Sequence, residues 1–148
     1  MKLTKISTAC ALAAATLFGT AAQAQISGDV IKIGLITDMS GLYADIDGPA
    51  GAEAIKMAIA DMGGAINGKK IEILVADHQN KADVAAAKAR EWFDTQGVDM
   101  LIGGTNSGTA LAMAKVAAEK KKPFLVVGAA TSALTKDRKS TRLNSSHG

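Results

Sequence analysis

The segment Val30-Ile31-Lys32-Ile33-Gly34-Leu35-Ile36 is a short apolar run with several β-branched residues, which is typical of a buried strand. Later runs of similar character predict three more strands: Lys70–Ala76, Asp99–Ile102 and Phe124–Val127. All four lie within residues 25–136, a length that suits one ordinary domain of the 148-residue chain. The sequence therefore predicts one globular unit built around repeated strands.

Helical patterns separate these strands. Three helices are predicted, over residues 49–62, 81–95 and 109–121. In the first, Pro49 suits the opening position, and apolar residues recur on one face at Ala52, Ile55, Ile59 and Met62. Strands that alternate with helices of this length imply right-handed crossovers, and hence an α/β fold with a parallel sheet and helices on both faces.

Turn-forming and helix-capping residues are predicted to set the boundaries of these elements. Gly63-Gly64 is predicted to end the first helix, and Asn67-Gly68 is a strong signal for a tight turn before the second strand. Asn80 with Asp83 resembles a capping arrangement for the second helix, and Gly97 is predicted to stop that helix.

Both ends of the chain differ from this central region. Residues 1–24 have a positive start, an uncharged Ala-rich run and an Ala-x-Ala site, which predicts a cleaved secretory signal peptide; a membrane anchor is the alternative. Residues 137–148 form a polar tail without periodicity that resembles the translation of a sequencing-adapter oligonucleotide; a natural basic tail is the alternative. We expect the gene to continue beyond Lys136, so that residues 25–136 are part of a longer domain.

Composition excludes several classes of function. Residues 25–136 hold 12 basic and 13 acidic residues and few aromatic ones, so net charge gives no support to nucleic-acid binding. Cys10 lies in the predicted signal peptide, which leaves the mature chain without thiol chemistry. His78 is the one histidine outside the tail, and a single imidazole does not predict a metal site.

In parallel α/β sheets, ligands bind outside the carboxyl ends of the strands. The loops there are 37–48, 77–80, 103–108 and 128–132, and none of them holds a catalytic set. Thr109 stands where a phosphate-binding loop would need Lys, and no G-x-S-x-G motif is present. Asp77 and His78 at a strand end are suggestive, although a solvated terminus with Asp77 bonding the next turn is the simpler reading.

Ser107 and Thr131 stand out among the loop residues. Each follows a strand, and Ser107 is placed at the start of a helix. A hydroxyl beside free amides at a positive helix end suits a carboxylate ligand. The alternative is that both residues only cap helices.

These residues carry a family resemblance. The chain resembles the branched-chain amino-acid class of type I periplasmic solute-binding proteins, which feed ABC importers, over residues 29–135. The resemblance rests on Ile33-Gly34, Met39-Ser40-Gly41, Gly51-Ala52-Glu53, Gly63 to Ile71, Asp77, Ile102-Gly103-Gly104, Pro123-Phe124 and Ala129-Ala130-Thr131. It implies two α/β lobes that close over a ligand, with the present chain as the first part of the N-terminal lobe.

The resemblance also implies roles for particular residues. Ser107 and the segment Ala129, Ala130 and Thr131 would hold the α-carboxylate and α-amino groups of the ligand. Tyr43 is the aromatic candidate to line the pocket. Asn106 precedes Ser107 where amino-acid binders often have a Ser-rich run, a departure that leaves an amino acid, an amide or another small carboxylate open as ligand.

The expected function is therefore capture of a small solute in the periplasm and its delivery to an ABC permease in the inner membrane, without catalysis, cofactor or metal. Two other classes stay open. The chain could begin an exported α/β enzyme whose catalytic residues lie beyond Lys136, or the ligand-sensing domain of a receptor. A downstream nucleophile–His pair or metal cluster would indicate the first, and a downstream transmembrane helix the second.

Overall fold

A computed structural model describes residue 26 and residues 28–135. The strands are β1 (Val30–Thr37), β2 (Ala65–Ile66), β3 (Lys69–Asp77), β4 (Met100–Gly103) and β5 (Phe124–Val126). The helices are α1 (Ala44–Asp47), α2 (Pro49–Asp61), α3 (Ala82–Glu91), α4 (Ser107–Glu119) and α5 (Ser132–Thr135), and a π-helical segment (Trp92–Gln96) extends α3. The predicted signal peptide, residues 1–24, and the tail, residues 137–148, lie outside the described residues.

The five strands form one sheet in the order β2-β3-β1-β4-β5. Four of them, β3, β1, β4 and β5, are parallel, which confirms the predicted α/β architecture. The register places Thr37 beside Asp77 and Ile36 beside Gly103, so the carboxyl ends of the parallel strands meet at one edge of the sheet. The loops that follow these strands are therefore neighbours.

The main core lies between the sheet and the pair α3 and α4. Ile36 and Leu101 are fully buried there, with Trp92 and Met113 packed on them. Leu35 is also buried but points to the opposite face, because successive side chains of a strand alternate between faces. The connection from β1 to β3 moves toward one edge of the sheet, whereas the connections from β3 to β4 and from β4 to β5 move toward the other edge. Because such crossovers are right-handed, α2 lies on the face opposite α3 and α4.

Two local features differ from the sequence predictions. The loop after β1 contains the short helix α1, which no helical periodicity announced. The strand β2 pairs antiparallel with β3, so the sheet is mixed at one edge. The Asn67-Gly68 turn was predicted correctly: φ is 50° at Asn67 and 79° at Gly68, as a two-residue hairpin turn requires.

The predicted boundaries of the helices agree only in part. Pro49 opens α2, and Gly97 ends the π-helical segment with φ of 64°. The capping role predicted for Asn80 is wrong, because Lys81 occupies the cap of α3 and Asn80 lies before it at φ of 57°. In the part of the chain that the structure describes, no helix has the length and apolar character needed to cross a membrane.

Candidate functional site

The carboxyl edge of the sheet has a crevice defined by topology. The chain leaves β1 toward one face and leaves β4 toward the other, so the loops after these adjacent strands diverge. In open α/β sheets this switch point is where ligands bind. The two loops carry Tyr43 on the β1 side and Asn106 and Ser107 on the β4 side.

The β4 loop approaches β1 closely because of Gly103. Its φ is 140°, and a Cβ built there would lie 2.4 Å from the backbone oxygen of Ile36. A residue with a side chain would have to separate the two strands. Glycine at this position therefore lets the end of β4, from which the chain continues to Asn106 and Ser107, lie directly beside β1.

Asn106, rather than Ser107, caps α4. The Asn106 side-chain oxygen accepts the backbone N–H groups of Gly108 at 2.7 Å and Thr109 at 3.1 Å. The alternative that Ser107 is only a helix cap is therefore wrong. Ser107 is the first residue of α4 and half-buried, and among the described residues its hydroxyl makes no hydrogen bond. That hydroxyl lies at the positive end of a 13-residue helix, where an anion is stabilised.

The segment after β5 lies beside this turn. Val127 donates its N–H to the Gly103 carbonyl at 3.1 Å, and Gly128 lies against Thr105, whose buried hydroxyl has no partner within the described residues. Ala129 and Thr131 are half-buried, and Ala130 is exposed. The Thr131 hydroxyl accepts the N–H of Ala133 at 3.3 Å, so Thr131 caps α5.

Tyr43 lies in the β1 loop and is half-buried at the start of α1. Its backbone N–H donates to Asp38 Oδ2 at 3.0 Å, and Gly41 donates to Asp38 Oδ1 at 2.9 Å. All six sequence-predicted residues thus lie in the segments that follow three neighbouring strands, β1, β4 and β5, at the carboxyl edge of the sheet. Asp38, which shapes the loop of Tyr43, was not singled out from the sequence, because its role depends on the folded loop.

Asp38, Asp77 and His78 form a cluster beneath the β1 loop, with one potential metal-ligand atom of each within 4.8 Å of the others. The hydrogen bonds assign these groups to another task. His78 Nδ1 accepts the N–H of Asn80 at 3.0 Å, and His78 Nε2 is buried without a partner among the described residues. In this structure the three side chains order the loop backbone.

The cluster shifts two pKa values. Burial lowers the pKa of the His78 imidazole below its usual 6.5, and this desolvation outweighs the opposing charges of Asp38, Asp77 and Asp47. Burial alone would raise the pKa of Asp77, but its hydrogen bonds with Ser40, Gln79 and Met39, together with nearby His78, hold that pKa below its usual 3.8. At neutral pH the cluster therefore holds a neutral imidazole beside an ionised Asp77.

We expect acidification below pH 6.5 to destabilise the protein through His78. The unfolded chain takes up a proton near the usual pKa of 6.5, whereas the folded imidazole resists it until a lower pH. The free energy of unfolding should therefore fall as the pH drops, by up to about 1.4 kcal/mol per pH unit between those two pKa values. The measurement is the urea midpoint at pH 7.5 and 5.5, for the unsubstituted protein and for His78→Asn, which retains an acceptor for the Asn80 amide. Equal loss of stability in both proteins would contradict the prediction.

Comparisons with known proteins agree with this architecture. The periplasmic binding protein family matches residues 30–145. Leu/Ile/Val-binding protein homolog 6 of Brucella abortus is 31% identical over 126 residues, which is 84% of this chain and 32% of the relative.

Two solved structures are also similar. A periplasmic binding protein from Burkholderia mallei is 67% identical with a TM-score of 0.71, over 72% of this chain and 28% of that one. A solute binding protein of an ABC transporter from Rhodopseudomonas palustris, in complex with 3,4-dihydroxybenzoic acid, is 33% identical with a TM-score of 0.70, over 76% of this chain and 31% of that one.

The fold and the carboxyl-edge crevice thus define an α/β unit of the type I periplasmic binding class. The chain belongs to the periplasmic binding protein family, which confirms the resemblance carried by the sequence motifs. These relatives are binding proteins rather than enzymes at the level of the family. The chain spans 32% of the length of the Brucella relative and 28% and 31% of the two solved chains.

Proposed function

We propose that residues 25–136 are the first part of the N-terminal lobe of a two-lobed solute-binding protein that serves an ABC importer. It captures a small carboxylate in the periplasm, without chemical change, for delivery to an inner-membrane permease. The observation that supports this most is the divergence of the loops after the adjacent strands β1 and β4, with the Ser107 hydroxyl, unpartnered within the described residues, at the start of a 13-residue helix on the β4 side.

Ser107 supplies the main anchor for the carboxylate. Its hydroxyl has no partner within the described residues, and it stands at the N-terminus of α4 beside its own backbone amide. Asn106 takes up the amides of Gly108 and Thr109 and so fixes the turn that presents Ser107. In this proposal the neighbouring segment from Ala129 to Thr131 provides the second wall of the site, and Tyr43, in the β1 loop, provides the aromatic wall.

The relatives support a carboxylate as the shared chemistry of the ligand. The Rhodopseudomonas structure holds 3,4-dihydroxybenzoic acid, and the name of the Brucella relative refers to leucine, isoleucine and valine. These compounds differ in their apolar parts and in the presence of an amino group, but each carries a carboxylate. A helix N-terminus and hydroxyl groups recognise that common group.

Location and domain structure follow the same proposal. Residues 1–24 direct export and are removed, so the mature protein begins near Gln25 and works in the periplasm. The tail at 137–148 is non-native, and the native sequence continues into the rest of the two-lobed protein. Closure of a second lobe over the crevice then excludes water from the bound ligand.

The test is calorimetric titration of the complete, mature protein with leucine, isoleucine, valine and 3,4-dihydroxybenzoate. We expect at least one of them to bind, and the matching carboxamide, which lacks the negative charge, to bind at least tenfold more weakly. Residues 25–136 alone should bind the same ligand only weakly, because water keeps access to a half-site. Failure of all four ligands, or equal affinity for acid and amide, would contradict the proposal.

A further inference from the structure

The β1 loop is folded around one buried carboxylate. Asp38 directly follows β1 and is only 1% exposed. Its two oxygens accept the N–H groups of Gly41 and Tyr43, three and five residues further along the chain. A buried carboxylate is costly unless hydrogen bonds compensate it, and here backbone amides of the loop provide that compensation. The loop and the carboxylate therefore hold each other in place.

Gly41 makes room for this arrangement. A Cβ at residue 41 would lie 2.7 Å from Asp38 Oδ2 and 2.8 Å from Oδ1, closer than a carbon and an oxygen approach without displacement. The carboxylate thus occupies the space that a side chain at position 41 would need. The Asp38 carboxylate is therefore held by its two hydrogen bonds in the space beside Gly41.

A second carboxylate holds the start of the same loop from the neighbouring strand. Asp77 ends β3, in register with Thr37 at the end of β1. It accepts the N–H of Met39 at 3.1 Å and the hydroxyl of Ser40 at 2.6 Å. The loop from 39 to 43 is therefore tied at four points to two carboxylates on adjacent strands.

We propose that Asp38 and Asp77 are positioning residues of the ligand site, which act through Tyr43 by holding its loop in the binding conformation before the ligand arrives. This proposal rests on the proposed function and adds residues that contact no ligand themselves. A loop that is already ordered loses less conformational freedom when ligand binds, so the affinity is higher. Where the loop samples other conformations, the apparent dissociation constant rises in inverse proportion to the fraction that can bind.

The test compares Asp38→Asn with Asp45→Asn in the complete mature protein. Both substitutions remove one negative charge from the same loop, but Asp45 is exposed and makes no hydrogen bond within the described residues. In Asp38→Asn an NH2 group replaces one acceptor, so one of the two loop amides loses its partner. For whichever of leucine, isoleucine, valine or 3,4-dihydroxybenzoate the unsubstituted protein binds, we expect about tenfold weaker binding in Asp38→Asn and less than twofold change in Asp45→Asn.

A double-substitution cycle with Tyr43→Ala separates positioning from general destabilisation. If Asp38 acts through Tyr43, Asp38→Asn should weaken binding by less than twofold once Tyr43 is Ala. Hydrogen exchange at the Gly41 and Tyr43 amides should quicken in Asp38→Asn and stay unchanged in Asp45→Asn. If Asp38→Asn does not fold, Ser40→Ala replaces it, since it removes an exposed hydroxyl that bonds Asp77; we expect two- to fivefold weaker binding.

The outcomes are distinct. Binding that is unaffected by Asp38→Asn or, where that variant does not fold, by Ser40→Ala overturns the positioning role and leaves the proposed function standing. Equal losses from Asp38→Asn with and without Tyr43 also overturn it, because they indicate a structural effect independent of that residue. Failure of the unsubstituted protein to bind any of the four ligands overturns the proposed function and this inference together.

Discussion

Gly103→Ala is expected to lower the free energy of unfolding by about 3–5 kcal/mol. Two effects combine at this position. The backbone φ of 140° is essentially restricted to glycine, and the new Cβ would lie 2.4 Å from the backbone oxygen of Ile36. That oxygen belongs to the adjacent strand rather than to a flexible side chain, so relief requires β1 and β4 to separate. Their separation would also open the core around Leu101, which is fully buried on β4.

The measurement is the urea unfolding curve of the complete protein, with Gly28→Ala as the matched control. A Cβ at Gly28 meets nothing within 4 Å, so the same substitution there should change stability by no more than about 0.5 kcal/mol. We also expect Gly103→Ala to weaken ligand binding, because the turn that carries Ser107 follows directly. Similar stability of both variants would show that β4 can move away from β1 without loss.

The four parallel strands and their alternation with helices were predictable because each strand is a local sequence signal. The run from Val30 to Ile36 is almost entirely apolar, as expected of a strand covered on both faces, and its pattern does not depend on distant residues. The Asn67-Gly68 turn was equally local, because few residues other than Asn and Gly adopt positive φ readily. What the sequence missed nearby was β2, whose two residues are too few to show a period.

The first loop was less predictable, since long-range contacts determine its structure. The short helix α1 makes no side-chain cap and buries no residue, so no local pattern marks it. Its neighbourhood is fixed by Asp77, which lies 38 residues from Met39 in sequence and 37 from Ser40. The sequence pattern therefore predicted where the loop lies in the chain, but it did not predict that the carboxylates of Asp38 and Asp77 hold its backbone.

The site illustrates the same division. Parallel topology predicted that the segments carrying Ser107, Thr131 and Tyr43 meet at one edge of the sheet, because loops after adjacent parallel strands are neighbours, whereas Tyr43 itself was singled out by the family resemblance. Asn106 and Ser107 are adjacent and both suit a helix cap, so the sequence could not decide between them. The structure assigns the cap of α4 to Asn106. That assignment makes Ser107 available for another partner, a distinction that residue types alone could not provide.

Ser107→Ala is expected to weaken ligand binding by about 10- to 150-fold, which corresponds to the loss of one hydrogen bond to a charged group. The fold should be unaffected, because Asn106 retains the cap of α4 and the Ser107 hydroxyl has no partner to lose within the described residues. Thr131→Ala is a less clean test, since its hydroxyl also accepts the Ala133 amide. The measurement is the dissociation constant of the complete protein by calorimetry, together with its unfolding midpoint.

Two control variants distinguish a lost ligand contact from a nonspecific effect or a loss of stability. Ser132→Ala makes the same chemical change at an exposed residue, the first of α5, and we expect affinity to change by less than twofold. Asn106→Ala removes the cap and should lower the free energy of unfolding by about 0.5–2 kcal/mol, with weaker binding as a consequence of a less ordered turn. Among these three variants, only Ser107→Ala should reduce affinity while leaving stability unchanged, because in the proposed site the Ser107 hydroxyl bonds the ligand and has no other partner among the described residues. Unchanged affinity in Ser107→Ala would remove this residue from the site and move the carboxylate anchor elsewhere along the edge of the sheet.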